Sequence, residues 1–345
     1  MSDEQATATH AATDAAPAGP SRVFVSGATG FVGRHIVREL VSRGFRPVCL
    51  VRDKSKFESV FRDLLPGSYD VVIGDVFNDA ALADAVRSCD AAIHLIGIIT
   101  ETPTQGQTFH RVHTEATQRV VDACKLAGVP RYVHMSALGT RHDAVSAYHK
   151  TKWAAECYVR DSGLAWTIFR PSLIHGPDGE FMRMMRVFVC DAVVPAFGVV
   201  PSPFPVIPYF GSGEAKIQPV DVRDVAYCFV SALSKPETIG QTYDLGGACA
   251  MSWKDMYRAC KRLIPGALQW KPLVWMPVFK AKLLARTVMK LPILPKMLRF
   301  DVGQVQMSQE DSSCDTRPVE DAFGIRMRDF EKELKMYGAE IPSAF

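Results

Sequence analysis

Short apolar runs alternate with segments of helical periodicity in the first half of the chain. Six runs have the composition of buried strands, at 22–26, 47–52, 70–75, 91–97, 131–136 and 165–170. Three segments between them, 31–43, 108–127 and 147–161, carry apolar residues at helical spacing, and a glycine follows each closely. Uninterrupted apolar strands separated by helices are typical of a parallel sheet covered on both faces. The pattern therefore predicts an α/β fold with a doubly wound parallel sheet.

The pattern divides the chain into three parts. Residues 1–21 contain almost no apolar side chain larger than alanine, so they predict a disordered tail. Residues 22–170 form the regular α/β unit. Residues 171–345 begin with a proline-rich stretch and predict a smaller lobe for a substrate. The last elements of the main sheet, at 215–247, are interleaved with this lobe.

Composition and charge exclude several classes of protein. The formal net charge is only +3, so bulk charge gives no reason to expect a nucleic-acid partner. The nine cysteines are scattered singly without a C-x-x-C pair, which favours reduced thiols and predicts no metal site. The amino terminus lacks the basic start and apolar core of a secretory signal, and no apolar stretch is long enough to span a membrane. We therefore expect a cytoplasmic protein.

A glycine-rich turn follows the first predicted strand. It reads G-A-T-G-F-V-G and places Gly27, Gly30 and Gly33 between a strand and a helix. The first glycine permits a tight turn, the second lets a pyrophosphate approach the backbone, and the third lets the helix pack closely on the strand. The helix amino terminus then faces the phosphates. This context predicts a Rossmann domain that binds a nicotinamide dinucleotide.

The end of the second strand bears on the choice between NADP(H) and NAD(H). Arg52 stands where NAD-binding proteins usually carry an acid for the ribose hydroxyls. A guanidinium offers a planar fork to a 2′-phosphate, so Arg52 favours NADP(H). Asp53 follows immediately, and NAD(H) therefore stays open as the alternative.

Three side chains suggest catalysis of proton transfer. Ser136 ends the fifth strand, and Tyr148 and Lys152 follow at positions i and i+4 of a predicted helix. A lysine charge beside a phenol lowers its pKa, and the phenol then exchanges a proton with a carbonyl or alcohol. The serine hydroxyl would polarise the same oxygen. The alternative is an exposed helical pair without a catalytic role.

Several phrases together resemble one protein family. They are S-A-L-G-T (136–140), Y-H-K-T-K-W-A-A-E (148–156), W-T-I-F-R-P-S-L-I-H-G-P (166–177), Q-P-V-D-V-R-D-V-A (218–226), Y-D-L-G-G (243–247), S-Q-E-D-S-S-C-D (308–315) and F-G-I (323–325). With the G-x-x-G-x-x-G turn, they resemble the extended and atypical short-chain dehydrogenases/reductases. The similarity is greatest to those related to the NADPH-carrying accessory subunit of respiratory complex I and its bacterial homologues. It covers about residues 22–335.

The resemblance implies roles for individual residues. It implies Ser136, Tyr148 and Lys152 as the catalytic set. It also implies that the cofactor lies against Gly27, Thr29, Gly30, Phe31, Val32, Gly33, Arg52, Asp75, Val76, Gly97, Lys152, Pro171 and Ile174. For Asp75, a contact with adenine and a structural cap at the strand end remain equal alternatives.

One position departs from the family pattern. Extended members usually carry an asparagine at the start of the fourth helix, whereas this chain has His113 there. We expect His113 to lie on the helix surface. The alternative is that it replaces the asparagine by bonding a backbone carbonyl or a water. The departure puts a complete proton relay in doubt.

A basic and apolar segment spans residues 270–300. It contains seven lysines and arginines and no acid, interleaved with large apolar residues. Lys282, Arg286 and Lys290 recur every four residues and predict a basic stripe on one helix. Such a segment suits a membrane surface or an acidic, respiratory-complex partner. The alternative is that the apolar side packs on the lobe and the charges are solvated.

Two functions remain open at this stage. The first is an NADP(H)-dependent oxidoreductase or epimerase that acts on a small, apolar substrate. The second is a non-catalytic protein that holds NADP(H) while docking on a respiratory or membrane partner. The complex I relative implies tight cofactor binding without turnover, whereas the retained Tyr148 and Lys152 favour the enzyme. The methionines and phenylalanines at 181–188, with Phe204, suggest an apolar pocket lining, although such stretches are more often plain core.

Overall fold

A computed structural model of the chain describes residues 21–190, 206–287, 289 and 299–342. Seven strands form one parallel sheet: β1 (Arg22–Ser26), β2 (Arg46–Val51), β3 (Asp70–Ile73), β4 (Ala91–His94), β5 (Arg131–Met135), β6 (Ala165–Pro171) and β11 (Gln241–Leu245). Their order across the sheet is β3-β2-β1-β4-β5-β6-β11. Three two-stranded pairs complete the strands: β7 (Ile174–His175) with β10 (Val220–Asp221), β9 (Lys216–Ile217) with β12 (Met251–Ser252), and β8 (Ile207–Phe210) with β13 (Leu273–Met276).

Some of the helices cover both faces of the main sheet, and others lie outside it. The helices are α1 (Phe31–Ser42), α2 (Lys54–Val60), α3 (Asp79–Val86), α4 (Ala116–Ala127), α5 (Ala147–Arg160), α6 (Glu180–Cys190), α7 (Val222–Ala232), α8 (Trp253–Leu263), α9 (Val278–Arg286), α10 (Val302–Met307), α11 (Arg317–Phe323) and α12 (Phe330–Tyr337). One face packs on α1, α7 and α11, and the other on α3, α4 and α5. The predicted doubly wound fold is confirmed. The sequence pattern did not indicate α2 or α3.

A second hydrophobic cluster lies outside the two layers of the sheet. It joins α6, α8 and α12 with β8 and β9. Met182 and Met185 are completely buried in it, so these methionines are core rather than pocket lining. Phe204 lies outside the described residues, as do residues 1–20 of the predicted tail.

The basic segment is less uniform than predicted. α9 ends at Arg286 and carries Lys282 and Arg286 of the predicted stripe, whereas Lys290 lies outside the described residues. Lys271 is fully buried, and its Nζ donates a 2.8 Å hydrogen bond to the carbonyl oxygen of Phe188. In the described parts of the chain, no helix combines the length and the apolar character needed to cross a bilayer.

The strand order reverses direction between β1 and β4. Chain connections leave these neighbouring strands to opposite sides of the sheet, which opens a crevice at their carboxyl ends. The glycine turn follows β1 and residues 95–97 follow β4, so both predicted binding segments border this crevice. A ligand is therefore expected at this edge of the sheet.

Candidate active site

The glycine turn packs tightly under the first helix. Gly27 has a φ of +77°, which favours glycine, and a Cβ on Gly33 would lie 2.1 Å from the Gly27 carbonyl oxygen. Gly30 begins α1 without a side-chain cap, and the first turn contains no acidic residue. The first backbone N–H groups of α1 are therefore available to an anion. Side chains at the glycine positions would fill the space beside these N–H groups. We call this space the glycine cradle, and it fits the pyrophosphate of a dinucleotide.

The residues after β2 and β3 differ in what they contact. Arg52 is exposed and forms no hydrogen bond or ion pair with another described residue. Asp53 begins α2, and its carboxylate accepts a 3.0 Å hydrogen bond from the backbone N–H of Lys56. Asp75 is also exposed, and it accepts a 2.8 Å bond from the backbone N–H of Phe77. Asp75 therefore acts as a strand-end cap, whereas its contact with adenine stays a prediction.

Lys152 is a buried ammonium at the carboxyl end of the sheet. It is 3% exposed, and its Nζ donates a 3.0 Å hydrogen bond to the carbonyl oxygen of Met135. A Cβ on Gly97 would lie 3.1 Å from this Nζ, so the loop after β4 passes directly beside the lysine. Burial lowers the pKa of Lys152 to about 8, and the charge of Glu156 opposes this change. The alternative of an exposed helical pair is therefore wrong for Lys152.

Tyr148 lies one helical turn before Lys152 and is half-buried. Its ring packs edge-on against the rings of Phe109 and His113, with centroids 5.8 and 5.2 Å away. Its hydroxyl forms no hydrogen bond within the described residues. Burial raises the pKa of Tyr148 to about 12. The prediction that Lys152 lowers this pKa is therefore wrong, because the loss of solvent on burial raises it.

Ser136 follows β5 and is 4% exposed. Its backbone N–H donates to the carbonyl oxygen of Phe169 at 2.8 Å, and its Oγ lies 3.3 Å from Oγ1 of Thr140. The structure thus brings Ser136 next to the carbonyl that Lys152 contacts. It shows no direct bond between Ser136 and Tyr148.

His113 is buried, so the prediction of a surface histidine is wrong. It is 1% exposed on a π-helical turn, His110–Glu115, that precedes α4. Its Nε2 lies 3.1 Å from the backbone nitrogen and 3.0 Å from the carbonyl oxygen of Ile98, and its Nδ1 lies 2.9 Å from Oγ1 of Thr151. Burial, assisted by the charge of Lys152, lowers the pKa of His113 to about 2. The residue therefore stays neutral and ties the loop after β4 to α5.

The remaining predicted cofactor residues fall into two groups. Val32, Val76 and Pro171 are buried, so a ligand would reach them mainly through their backbone. Thr29, Phe31 and Ile174 are half-buried at the same edge of the sheet. Phe31 also lies beside the turn before α6, because a Cβ on Gly179 would lie 2.9 Å from its ring.

One link across the site was not foreseen from the sequence. Asp178, in the turn before α6, forms a 2.8 Å ion pair with Arg34. Its carboxylate also lies 3.2 Å from Nε2 of His35. Both partners lie on α1, directly after the glycine turn. The G-P-D-G sequence at 176–179 signals a turn, but only the fold shows that it meets α1.

Comparisons with known proteins agree with this geometry. Residues 27–185 match the family described as NAD(P)H-binding. The chain is 34% identical over 174 residues to the ceramide reductase of Caulobacter vibrioides, which covers 50% of this chain and 53% of the relative. It is 27% identical over 298 residues to subunit 9 of the NADH dehydrogenase [ubiquinone] 1 alpha subcomplex of Arabidopsis thaliana, covering 84% and 69%. The chain therefore matches only about half of the ceramide reductase.

Solved structures share the whole fold. A UDP-glucose 4-epimerase of Thermotoga maritima superposes over 92% of this chain and 97% of its own, with a TM-score of 0.66 and 15% identity. Fold, glycine turn and family match define an NAD(P)-binding Rossmann protein. The chain is similar to complex I subunits and to bacterial reductases, which agrees with its resemblance to the extended short-chain dehydrogenases/reductases.

Proposed function

We propose that this protein is an NADP(H)-dependent oxidoreductase that reduces a carbonyl group. One observation carries the proposal: the unbonded hydroxyl of Tyr148 lies one helical turn from the buried ammonium of Lys152. A phenol without a partner at the mouth of a dinucleotide crevice is free to bond a substrate oxygen. The ammonium behind it supplies the positive charge that stabilises negative charge on that oxygen.

The protonation states favour reduction. With a pKa of about 12, the phenol of Tyr148 holds its proton at neutral pH and can donate it to a carbonyl oxygen. Lys152, with a pKa of about 8, is mostly charged there. Ser136 would donate its hydroxyl proton to the same oxygen in a hydrogen bond. When bound, a reduced nicotinamide dinucleotide supplies the hydride. The same residues would serve an epimerase that retains its cofactor.

The contacts of Arg52 and Asp53 support NADP(H) as the cofactor. The guanidinium of Arg52 has no partner among the described residues, so it is available to a 2′-phosphate. Asp53 already caps α2, and a ribose hydroxyl would compete with this bond. The glycine cradle serves both dinucleotides, and Arg52 is the residue that would discriminate between them.

We further propose that the substrate is apolar and lipid-like and that residues 171–345 supply its lobe. The Caulobacter relative is named a ceramide reductase, which suggests a carbonyl on a long-chain molecule. The turn at 176–179, held against α1 by Asp178, would close one side of the pocket. The large apolar side chains that are exposed after α8 also agree with an apolar substrate.

A second candidate function rests on His113. Where extended members carry an asparagine, this neutral histidine is occupied by the backbone of Ile98 and by Thr151. An occupied side chain does not hold the water of a proton relay as an asparagine would. The chain would then hold NADP(H) without turnover, as an accessory protein related to the NADH dehydrogenase subunits.

Substitution of Tyr148 distinguishes the two functions. We would measure the affinity of the full chain for NADPH and its oxidation of NADPH with long-chain ketones and quinones. Tyr148→Phe should lower the rate at least ~100-fold without changing NADPH affinity. Tyr158→Phe, on the same helix, is the matched control, because its hydroxyl bonds only the exposed Asp122.

Each result leads to one conclusion. Consumption of a carbonyl compound that depends on Tyr148 supports the oxidoreductase. Conversion of a substrate without net loss of NADPH indicates the epimerase. Tightly bound NADP(H) that does not exchange, with no turnover of any carbonyl compound, supports the accessory role. An equal rate for wild type and Tyr148→Phe would refute the role of Tyr148.

A further inference from the structure

Several large apolar side chains are exposed in the segment that follows α8, and four of them are more than half exposed. The exposed fractions are 60% for Trp270, 58% for Trp275, 68% for Phe279 and 62% for Leu283. We call these four residues the exposed apolar face. Single exposed apolar residues are ordinary on protein surfaces, whereas a group within fourteen positions of one segment suggests a binding surface.

The orientation of α9 is the reverse of an ordinary surface helix. Its buried residues are the small Ala281 and Ala285, whereas Phe279 and Leu283 point to solvent. At about 100° per residue, the two alanines lie on the side opposite Phe279. A surface helix that packs only on the core of its own protein would bury the large apolar side chains instead. The packing alternative from the sequence analysis is therefore wrong for these residues.

Unpaired positive charges surround the exposed apolar face. Lys280, Lys282 and Arg286 form no hydrogen bond or ion pair with another residue in the described parts of the chain. The sequence contains no aspartate or glutamate from 270 to 300. A protein partner that buried this face would have to neutralise several cations. An anionic surface carries negative charge everywhere along it, so it would neutralise all of them.

We propose that the exposed apolar face and its three cations dock on a membrane of anionic phospholipid. Tryptophan rings are favoured at the headgroup level, because their apolar body and polar N–H suit the two sides of that boundary. Phe279 and Leu283 would enter the acyl boundary. The alkyl stems of Lys282 and Arg286 lie along the same side of the helix, and their charged ends reach the phosphates.

This surface connects to the candidate active site through residues 300–310. Phe300 packs against Phe210 with ring centroids 4.8 Å apart, and α10 packs on α9. Arg141, in the loop after β5, donates a 3.0 Å hydrogen bond to the carboxylate of Glu310, which follows α10. Docking would therefore bring the loops at the crevice near the bilayer. Membrane binding does not depend on the proposed catalysis and can be tested separately.

The test is co-sedimentation of the full chain with two kinds of vesicle. One contains phosphatidylcholine alone, and the other contains phosphatidylcholine mixed with phosphatidylglycerol. Phe279→Ser with Leu283→Ser removes the apolar part, and Lys280→Gln, Lys282→Gln and Arg286→Gln together remove the charge. Lys125→Gln with Leu126→Ser is the matched control, because it changes the same residue types at exposed positions of α4.

The proposal expects binding to the anionic vesicles that weakens as salt is added. Each test variant should reduce this binding about tenfold or more, whereas the control should bind like the wild type. NADPH affinity should be equal in all of them, which shows that the variants fold. No binding of the wild type to anionic vesicles would overturn the proposal. Two other results would also overturn it. One is an equal loss of vesicle binding in the control variant, and the other is a wild-type dimer that only Phe279→Ser with Leu283→Ser dissociates.

Discussion

The Nζ of Lys152 donates a 3.0 Å hydrogen bond to the carbonyl oxygen of Met135. This bond fixes α5 against the end of β5, so that Lys152 and Ser136, the residue after Met135, meet at one edge of the sheet. Because the ammonium is buried, its protonation is coupled to the stability of the fold.

Lys152→Met should change how stability depends on pH. The folded pKa is about 8, against an ordinary value of 10.5. Between these values the unfolded chain holds a proton that the folded chain has lost, so wild-type stability rises with pH there. Relative to Lys152→Met, the wild type should gain about 1.4 kcal/mol per pH unit. Denaturant unfolding of both proteins across this range measures the difference, and parallel curves would contradict the buried ammonium.

Four of the buried histidines have strongly lowered pKa values, and acid should destabilise the fold through them. Burial holds the pKa of His94 at about 3, of His113 at about 2 and of His175 at about 4, and it holds that of His134 well below 6.5. Their stabilisation is complete above 6.5 and is lost as the pH falls, because the unfolded chain then binds more protons. Each contributes a slope of about 1.4 kcal/mol per pH unit.

His134→Leu isolates one of these four contributions. Both ring nitrogens of His134 are buried without a hydrogen-bond partner, so its replacement breaks no bond. We expect the free energy of unfolding to fall less steeply between about pH 6.5 and pH 5 in this variant, by about 1.4 kcal/mol per unit. Denaturant titrations at several pH values provide the measurement. An unchanged slope would mean that His134 is not neutral in the fold.

Gly33→Ala should abolish dinucleotide binding. The new Cβ would lie 2.1 Å from the Gly27 carbonyl oxygen and 2.8 Å from that of Ala28, so α1 must move away from the turn. We expect a loss of about 2 kcal/mol or more in stability, together with loss of NADPH binding. Gly44→Ala is the control at the other end of α1. It has φ +80° and open space, so it should cost about 1 kcal/mol without affecting binding.

Arg52→Ala should weaken NADPH binding and leave NADH binding unchanged. The loss of a charge-assisted bond to a 2′-phosphate corresponds to about ten- to a hundredfold in Kd. Arg62→Ala, another exposed arginine in this region, serves as the control. Titration calorimetry with both dinucleotides provides the measurement. Equal weakening for NADPH and NADH would show that Arg52 does not discriminate between them.

The sequence alone predicted the parallel sheet, the glycine turn and the approximate bounds of most strands and helices around them. This is because local information carries them: apolar strand runs, helical periodicity, and glycines at Gly27 and Gly33 that the backbone geometry requires. It also placed Ser136, Tyr148 and Lys152 at the same edge, since the carboxyl ends of parallel strands meet there.

Only the tertiary structure decided the environment of these residues. His113 and Lys271 have polar side chains on segments of ordinary composition, and their burial depends on contacts with Ile98 and Phe188 from elsewhere in the chain. The pKa of Tyr148 is likewise set by rings that pack around it. Burial depends on what the rest of the fold places against a side chain, and spacing along the sequence does not contain that information.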